Sequence, residues 1–338
     1  MRKEIPIFFS FNNNYVIPAC VALYSLLNKA KENIVYKMYV LHSDITIENQ
    51  NLLNSIINKF DNSTLEFINT EGFLAKEWHN GNWAGHNKKS QFTLETIVKC
   101  FASRFFPQYD KIIYSDVDCV FVDDISDLLD INLDGKYIGA VKDAFMKYIP
   151  TELSHLDETY YEKLKDSYFC GGIWVLNLKQ IREDNLEAII VDNISNDKIT
   201  KQWPDQDIMN IACLNKVEYI PLNYISYPYL IDYLVKPDFV SDFSKDELYD
   251  SILNPKIIHY AAVKPWKQET RYDDIWWTMF YYLNLPKTSI IERGIDNDKE
   301  SNKLKKYKKL FNTFLVISII LMIIVIFIIL KYYGVNIL

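Results

Sequence analysis

Cysteine is scarce in this sequence, and its spacing fits neither a disulfide framework nor a zinc ribbon. The 338 residues include five cysteines, an odd number, with no CxxC pair among them. Disulfide-rich domains and zinc ribbons depend on paired cysteines at short spacing. Both classes are therefore excluded, and the unpaired thiols favour a reducing compartment.

Basic residues are outnumbered by acidic ones. The 37 Lys and Arg against 44 Asp and Glu give a formal net charge of −7. Residues 301–338 contain six lysines and no acidic residue, so the first 300 residues hold 31 basic against 44 acidic residues, a net charge of −13. Nucleic-acid binding requires a basic surface, and we therefore expect no nucleic-acid partner.

The N-terminus lacks a secretory signal, because its short apolar run is broken by three asparagines at 12–14. One long apolar run is present near the other end, from Leu310 to Leu330, without a charged residue. As a helix it would span about 31 Å, close to the hydrocarbon thickness of a bilayer. We predict a transmembrane helix at 310–330. The alternative, a buried core helix, would need apolar protein on every face.

Lysines flank this apolar segment unevenly. Five lie at 303–309 and only Lys331 follows the segment. The positive-inside rule then places the folded body on the cytoplasmic face of the inner membrane, anchored by a single pass. The lysine cluster would also attract anionic headgroups.

The composition and residue pattern of the rest of the chain predict a globular α/β protein. With 49% hydrophobic and 24% charged residues it can bury a core, which excludes disorder, collagen and coiled coil. Strand-like and helix-like patterns alternate, which predicts a mostly parallel sheet covered by helices, with ligands at the carboxyl ends of the strands. Predicted strands are 5–9, 36–41, 65–68, 111–115, 137–141, 173–178 and 256–260; predicted helices are 15–27, 46–60, 93–105 and 207–214. The polar segments 145–168 and 223–250 are expected to form loops or small helices.

Two carboxylates follow the strand predicted at 111–115. The segment KIIYSDVDCVFVDD places Asp116 and Asp118 two residues apart after an apolar run. In an extended turn, carboxylates at this spacing can reach one hard cation, which then binds diphosphate oxygens. Alone, the pair is more typical of solvated acids at a strand end than of a metal site. The pattern also occurs in haloacid-dehalogenase phosphatases, where the first aspartate is the nucleophile, but on the first strand of the domain rather than the fourth.

A second segment, PKIIHYAAVKPW, supplies His259 and Lys264. Imidazole combined with carboxylates suits Mn²⁺ better than Mg²⁺. A lysine provides a fixed cation for a phosphate. A lone histidine would be read as structural, and the lysine five residues later favours the metal-site interpretation.

Five ordered motifs together resemble glycosyltransferase family 8: FSFNNNY, DKIIYSDVD, YFCGGIWVLNL, WPDQDIMN and HYAAVKPW. The resemblance covers roughly residues 4–268. This family comprises nucleotide-sugar-dependent enzymes with a GT-A fold and includes bacterial lipopolysaccharide α-galactosyl- and α-glucosyltransferases. The resemblance implies a GT-A catalytic domain at 1–268 with a Rossmann-like mixed sheet flanked by helices. From the residue pattern we expect an aromatic and basic extension at 269–309 and the transmembrane helix at 310–330 to follow it.

The resemblance also implies roles for individual residues. The metal, Mn²⁺ or Mg²⁺, would be held by Asp116, Asp118 and His259. Donor-binding positions are Asn12, Asn14, Tyr15, Lys99, Asp116, Val117, Ala262 and Lys264. Positions that meet the transferred sugar or the acceptor are Asp143, Cys170, Gly171 and Gln206, and the pair beside the anomeric carbon is Asp205 and Gln206.

The sequence departs from the family pattern at three of these positions. Asn12 replaces a usual aspartate, but its amide oxygen can still accept from the uracil N3–H. Lys99 replaces an arginine and keeps the charge without the bidentate fork. Cys170 replaces a frequent asparagine and removes an amide that could bond a sugar hydroxyl. The spacing from His259 to Lys264 is one residue shorter than in many members.

The implied reaction is the transfer of a hexose from a UDP-sugar to a glycan or glycolipid acceptor, with retention of configuration. The metal and Lys264 would stabilise the charge of the leaving UDP. Gln206 is a poor nucleophile, which favours same-face attack by the acceptor hydroxyl over a covalent route. The alternatives are a haloacid-dehalogenase-like phosphatase using Asp116 and a non-catalytic membrane scaffold that binds nucleotide sugar.

Overall fold

A computed structural model describes residues 2–80, 93–149, 153, 155–196 and 202–288. Residues 1–265 and 269–286 belong to one compact unit, and residues 266–268 and 287–338 belong to a second. No helix within the described ranges is long and apolar enough to cross a membrane. The transmembrane helix predicted at 310–330 lies outside the described residues.

Seven strands of the described chain form one mixed sheet in the order β3-β2-β1-β4-β7-β6-β8, and two more form a separate ladder, β5-β9. Strands β1, β2, β3 and β4 run parallel, β7 is antiparallel to both β4 and β6, and β6 and β8 are parallel. The strands are β1 Lys3–Ser10, β2 Ile34–His42, β3 Ser63–Asn69, β4 Lys111–Ser115, β5 Cys119–Phe121, β6 Ile138–Lys142, β7 Phe169–Asn177, β8 Val217–Tyr219 and β9 Ile257–His259.

Helices cover the sheet and connect its strands. They are α1 Val16–Lys29, α2 Ile47–Ile57, α3 Ala75–Asn80, α4 Glu95–Val98, α5 Ala102–Phe105, α6 Glu158–Leu164, α7 Leu178–Glu183, α8 Leu186–Ser195, α9 Pro204–Ala212, α10 Leu230–Leu234, α11 Lys245–Leu253 and α12 Asp273–Tyr282. Short 3₁₀ turns occur at Asn13–Tyr15, Lys99–Phe101, Ser126–Asp130 and Leu222–Ile225.

This architecture confirms the predicted α/β class and its mostly parallel sheet. Continuous burial of Ile5–Phe9 matches the apolar run expected of a central parallel strand, which is covered on both faces. The helix predicted at 93–105 is instead two short helices, α4 and α5, separated by the 3₁₀ turn at Lys99–Phe101. In the described residues of the polar segments 145–168 and 223–250, the α-helices are short: α6, α10 and the start of α11.

Strand β7 has the strongest influence on the position of the site. All of its residues except Asn177 are buried, because it lies between β4 and β6 in the middle of the sheet. Its antiparallel direction places its first residues, Cys170–Gly172, beside the last residues of β4. The backbone N–H of Asp116 donates to the Gly172 carbonyl oxygen at 2.9 Å. The turn that carries Asp116 and Asp118, here called the DxD turn, and the glycines of β7 therefore meet at one edge of the sheet.

Helix α12 adds an aromatic layer to the first unit. The rings of Trp276 and Phe280 are buried and stacked, with centroids 5.4 Å apart. Tyr282, at the end of α12, contacts Tyr24 of α1 with ring centroids 5.6 Å apart. The described part of the predicted extension at 269–309 therefore includes a helix that packs on the sheet-covering helix α1.

Candidate active site

The β5-β9 ladder brings His259 to the DxD turn. Cys119 pairs with His259 in this antiparallel ladder, and the backbone N–H of Tyr260 donates to the Asp118 carbonyl oxygen at 2.9 Å. Asp118 and His259 are 141 positions apart in sequence. Both are thus fixed by backbone hydrogen bonds, so their side chains are held together by the fold rather than by loop conformation.

Asp116, Asp118 and His259 form a cluster suited to a divalent cation. His259 Nε2 lies 3.1 Å from Asp118 Oδ1 and 3.5 Å from Asp116 Oδ2. One ligand atom from each of the three residues lies within 4.8 Å of the other two. Two carboxylate oxygens and an imidazole nitrogen make a donor set that suits Mn²⁺ and leaves coordination positions for other oxygens. The residues present therefore fit the metal that the sequence predicts.

Gly172 sets the position of the His259 ring. A Cβ atom at Gly172 would lie 2.5 Å from Cε1 and 2.6 Å from Nδ1 of the imidazole. His259 Nδ1 is buried and has no hydrogen-bond partner among the described residues. The ring is packed directly on the glycine backbone, with Nε2 directed at the carboxylates.

Each metal-site carboxylate is paired with a lysine. Lys264 Nζ donates to Asp118 and, at 2.8 Å, to the Ala261 carbonyl oxygen. Lys99 is only 3% exposed, and its Nζ contacts Asp116 Oδ1 at 3.2 Å and Asp205 Oδ2 at 2.6 Å. It also reaches the Tyr114 hydroxyl at 3.0 Å and the Gly171 carbonyl oxygen at 3.1 Å. Lys99 is thus the central cation of the site.

These contacts shift the pKa values of the cluster. Burial alone would raise the pKa of Asp116 and Asp118. The nearby positive charges outweigh it and bring both pKa values below the ordinary range. Lys99 acts on Asp116, Lys264 acts on Asp118, and His259 acts on both. Burial lowers the pKa of His259, yet the two carboxylates outweigh it and raise that pKa to about 9. The imidazole is therefore protonated at neutral pH without metal, and a bound metal would replace that proton.

The pKa values of Lys99 and Asp205 are also set by burial and neighbouring charges acting in opposite directions. Burial lowers the pKa of Lys99, but Asp116 and Asp205 more than offset this, so the pKa lies above its ordinary value. Burial raises the pKa of Asp205, and Lys99 only partly opposes the rise. The ammonium of Lys99 consequently remains charged beside both carboxylates.

The first residues of α9 place the predicted catalytic pair. Pro204 occupies the first turn of α9, where its missing N–H costs nothing, and Asp207 accepts from the backbone N–H groups of Gln202 and Trp203 at 2.8 and 2.9 Å. From this fixed helix start, Gln206 Oε1 accepts from the Gly171 N–H at 2.7 Å. A Cβ atom at Gly171 would lie 2.9 Å from Asp205 Oδ2, so both side chains pack against β7.

The residues predicted to bind the nucleotide, Asn12, Asn14 and Tyr15, follow β1. The Asn12 side-chain oxygen accepts from the Asn14 N–H at 3.1 Å and caps the 3₁₀ turn at Asn13–Tyr15. Burial, together with the charges of Asp118 and Asp116, raises the pKa of Tyr15 to about 12. Tyr15 therefore lies close to the metal-site carboxylates and stays protonated at neutral pH. Asn14 itself is exposed.

The remaining predicted residues lie around this centre. Val117 is buried between the two metal-site aspartates, and Ala262 is exposed in the turn that follows β9. Asp143 follows β6, and its Oδ2 accepts from the Cys170 thiol at 3.7 Å. Cys170 is 2% exposed, so it lies behind the surface rather than on it.

Tyr114 and Tyr227 contact predicted site residues, although the sequence analysis made no prediction for either of them. The Tyr114 hydroxyl donates to Asp116, and the Tyr227 hydroxyl donates to Cys170 Sγ at 2.9 Å. Tyr114 precedes Asp116 by two residues, and strand alternation places such residues on the same face, which is a signal in the sequence. Tyr227 lies in a polar segment, where periodicity gives no such signal.

Together the mixed α/β sheet, the paired carboxylates after β4 and the flanking lysines define a glycosyltransferase of the GT-A type. The sequence model of Glycosyl transferase family 8 matches residues 6–270, and the chain belongs to this family. The family predicted from the five motifs is confirmed.

The chain is similar to two bacterial glycosyltransferases over most of its length. It is 21% identical to a lipopolysaccharide 1,2-glucosyltransferase of Escherichia coli, covering 94% of this chain and 90% of that protein. It is 24% identical to glycosyltransferase GlyF of Streptococcus pneumoniae, covering 90% of this chain and 68% of GlyF.

Two solved structures share the fold. Galactosyltransferase LgtC, in complex with donor and acceptor sugar analogues, matches with a TM-score of 0.65 and 20% identity, covering 86% of this chain and all of LgtC. The bifunctional glycosyltransferase WbbM matches with a TM-score of 0.67 and 25% identity. That match covers 87% of this chain and 52% of WbbM, so the chain spans about half of the larger protein.

Proposed function

We propose that this protein transfers a hexose from a UDP-sugar to a glycan acceptor with retention of configuration, using a divalent metal, Mn²⁺ in preference to Mg²⁺. The observation that carries the proposal is the convergence of Asp116, Asp118 and His259, with Lys264 beside them, at the edge of the sheet where ligands of α/β proteins bind. A dication and a lysine at one point suit a diphosphate leaving group.

A divalent metal held by Asp116, Asp118 and His259 would supply charge stabilisation for the diphosphate. Lys264 lies in the turn after β9 and is available to bind a phosphate once it leaves Asp118. Lys99 holds the Asp116 and Asp205 carboxyl groups in place through its buried ammonium, which lies 3.2 Å from Asp116 Oδ1 and 2.6 Å from Asp205 Oδ2. Tyr15 is protonated at neutral pH and acts there as a hydrogen-bond donor. Asn12 retains an amide oxygen lone pair for the uracil N3–H.

The same geometry favours same-face attack by the acceptor hydroxyl. A covalent route needs a nucleophile on the far side of the sugar, and the predicted candidate there is Gln206. An amide is a weak nucleophile, and the Gln206 oxygen already accepts from the Gly171 N–H. Asp205 is held by the charged Lys99. As the bond from the anomeric carbon to the diphosphate breaks and the bond to the acceptor oxygen forms, the leaving diphosphate oxygen takes the proton of the acceptor hydroxyl.

For the acceptor, we propose a lipopolysaccharide core or another lipid-linked glycan. A relative that covers nearly the whole chain is named a lipopolysaccharide 1,2-glucosyltransferase. The apolar segment at 310–330, preceded by five lysines, supports the same class, because an anchored enzyme shares a surface with its acceptor. We place the catalytic body on the cytoplasmic face of the inner membrane.

Anchoring is tested by vesicle flotation of the full chain, a variant lacking residues 302–338, and a variant with the five lysines changed to glutamine. We expect the full chain and the glutamine variant to float with the vesicles and the truncated variant to remain behind. Flotation of the truncated variant would contradict the anchor, and loss of flotation in the glutamine variant would show that headgroup attraction, not a span, holds the protein.

The reaction class is tested with a panel of UDP-sugars in Mn²⁺, measuring UDP and phosphate separately. We expect UDP release from one or a few hexose donors, abolished by EDTA and by Asp118→Asn, and unaffected by Asp127→Asn, the same change at a partly exposed aspartate paired with Lys256. Release of phosphate from simple phosphoesters instead of UDP would favour the phosphatase alternative. UDP binding without any turnover would favour a scaffold.

A further inference from the structure

Tyr227, Cys170 and Asp143 are joined in a line of hydrogen bonds. Cys170 and Asp143 are two of the residues predicted to meet the transferred sugar or the acceptor. The Tyr227 hydroxyl donates to Cys170 Sγ at 2.9 Å, and the Cys170 thiol donates to Asp143 Oδ2 at 3.7 Å. They come from three separate parts of the fold: the turn before α10, the start of β7 and the end of β6. The line therefore joins elements that are distant in sequence.

The direction of this line follows from its chemistry. A phenol and a thiol donate when protonated, whereas an ionised carboxylate only accepts. Burial, reinforced by the charge of Asp143, raises the pKa of Cys170 well above the ordinary value, so the thiol keeps its proton. Each hydrogen bond therefore runs from Tyr227 toward Asp143, and the carboxylate is the end of the line.

The three residues differ in exposure, and this shows which of them can meet a ligand. Cys170 is 2% exposed and Tyr227 is 6% exposed, whereas Asp143 is only partly buried. The second oxygen of Asp143, Oδ1, accepts from the backbone N–H of Phe145 at 2.8 Å. Both oxygens of the carboxylate are thus oriented by the protein, with Cys170 and Tyr227 behind it.

We infer that Tyr227 is a positioning residue for the donor sugar: acting through Cys170, it orients Asp143 to accept a hydrogen bond from a hydroxyl of the transferred hexose. This rests on the proposed function and adds a substrate class to it. A pocket built around an oriented carboxylate selects a hexose that carries the matching hydroxyl. It disfavours the deoxy analogue, because that analogue cannot donate the hydrogen bond that the oriented carboxylate accepts.

Tyr227 also has a packing role, which determines the choice of variant. Its ring stacks on Tyr229 with centroids 5.4 Å apart and lies beside the His259 ring at 5.8 Å. Tyr227→Ala would therefore disturb a metal ligand as well as the line. Tyr227→Phe removes only the hydroxyl and preserves the ring contacts, so it isolates the proposed role.

The experiment compares Tyr227→Phe, Cys170→Ala, Cys170→Ser and the double variant Tyr227→Phe/Cys170→Ala. Tyr249→Phe, on the exposed face of α11 at 51% exposure, is the matched control. Donor hydrolysis is measured for the preferred UDP-hexose and its monodeoxy analogues, and UDP affinity is measured in Mn²⁺ by calorimetry. Thermal melts confirm that each variant is folded.

We expect Tyr227→Phe and Cys170→Ala each to raise the donor KM by about 3–10-fold, the effect of one hydrogen bond, and to weaken discrimination against one deoxy analogue by the same factor. UDP affinity and the control should be unchanged. The double variant should be no worse than either single change, because the two residues act in series, and Cys170→Ser should restore part of the effect.

Additive effects in the double variant, or unchanged discrimination in Tyr227→Phe, would overturn the inference. Equal losses in UDP affinity and donor KM would also overturn it, since they would assign Tyr227 to the metal end of the site. Absence of metal-dependent UDP binding in the unmodified protein would instead refute the proposed function. The two failures are therefore distinguishable.

Discussion

Lys99→Met tests whether the buried lysine is the structural centre of the site. Methionine has a similar length but no charge, so the change removes the ammonium with little change of volume. Lys99 Nζ lies 2.6 Å from Oδ2 of Asp205, whose side chain is 12% exposed, and 3.2 Å from Oδ1 of Asp116, whose side chain is 29% exposed. Without it, one carboxylate that is almost completely buried loses its counter-charge.

The expected cost follows from this burial. Breaking a buried ion pair by removing one partner destabilises a protein by about 3–5 kcal/mol, because a charge remains uncompensated. For a domain of this size each kcal/mol lowers Tm by about 2–4 °C, so we expect Lys99→Met to lower Tm by about 6–20 °C. Adding Asp205→Asn should recover part of the loss, because it removes the carboxylate left unpaired.

The assay is thermal unfolding followed by circular dichroism, without metal or nucleotide. Lys256→Met is the control: its partner Asp127 is 46% exposed, and such a pair contributes at most about 1 kcal/mol. A Lys99→Met protein that melts within the shift of this control would refute the reasoning. So would additive losses in Lys99→Met/Asp205→Asn, since they would show that the two residues are not energetically coupled.

Three further predictions follow from the same site. The pKa of His259 is raised to about 9 in the fold, so its protonation stabilises the folded state fully below pH 6.5 and this stabilisation is lost as pH rises through 9. Urea unfolding of the metal-free protein should therefore show a free energy of unfolding that falls over that window. Saturating Mn²⁺ should flatten this dependence, and a flat curve without metal would contradict the shift. Gly172→Ala should weaken Mn²⁺ binding and destabilise the fold by about 1–3 kcal/mol. The reason is that the new Cβ atom would lie 2.5 Å from the His259 ring and 2.8 Å from Ile225 Cδ1. Calorimetric Mn²⁺ affinity equal to that of the unmodified protein would disprove this contact. All five cysteines are buried, so a thiol reagent at neutral pH should modify them only after unfolding, and rapid labelling of the native protein would contradict that burial.

The sequence was sufficient to predict the class of fold and to single out Asp116, Asp118 and His259, the three residues that the fold brings together in one cluster. Apolar runs at the positions of β1, β2 and β4 are long, and their alternation with helices allows few arrangements other than a sheet with helical cover. The pair Asp116 and Asp118 is local, so its spacing is visible in the sequence. His259 could be assigned because its strand-like segment also carries Lys264.

The remaining features depend on tertiary contacts that no local pattern encodes. Strand β7 enters the sheet antiparallel between β4 and β6, and an apolar run alone does not specify its direction or neighbours. The interruption of the helix at Lys99–Phe101 is likewise absent from the periodicity of 93–105. The prediction of Lys99 as a donor-binding residue did not include its buried contacts with Asp116 and Asp205, because these depend on the packing of distant segments.

Titration of UDP into the protein, in Mn²⁺ and in EDTA, tests the central claim most directly. The account predicts binding that requires the metal and that is lost in Asp118→Asn while the variant keeps a cooperative melt. Charge removal at one metal ligand should have this effect because Asp118 lies within reach of both His259 and Lys264. Equal UDP affinity in Mn²⁺ and EDTA, or in Asp118→Asn and the unmodified protein, would contradict the assignment of this cluster as a metal-dependent UDP-sugar site.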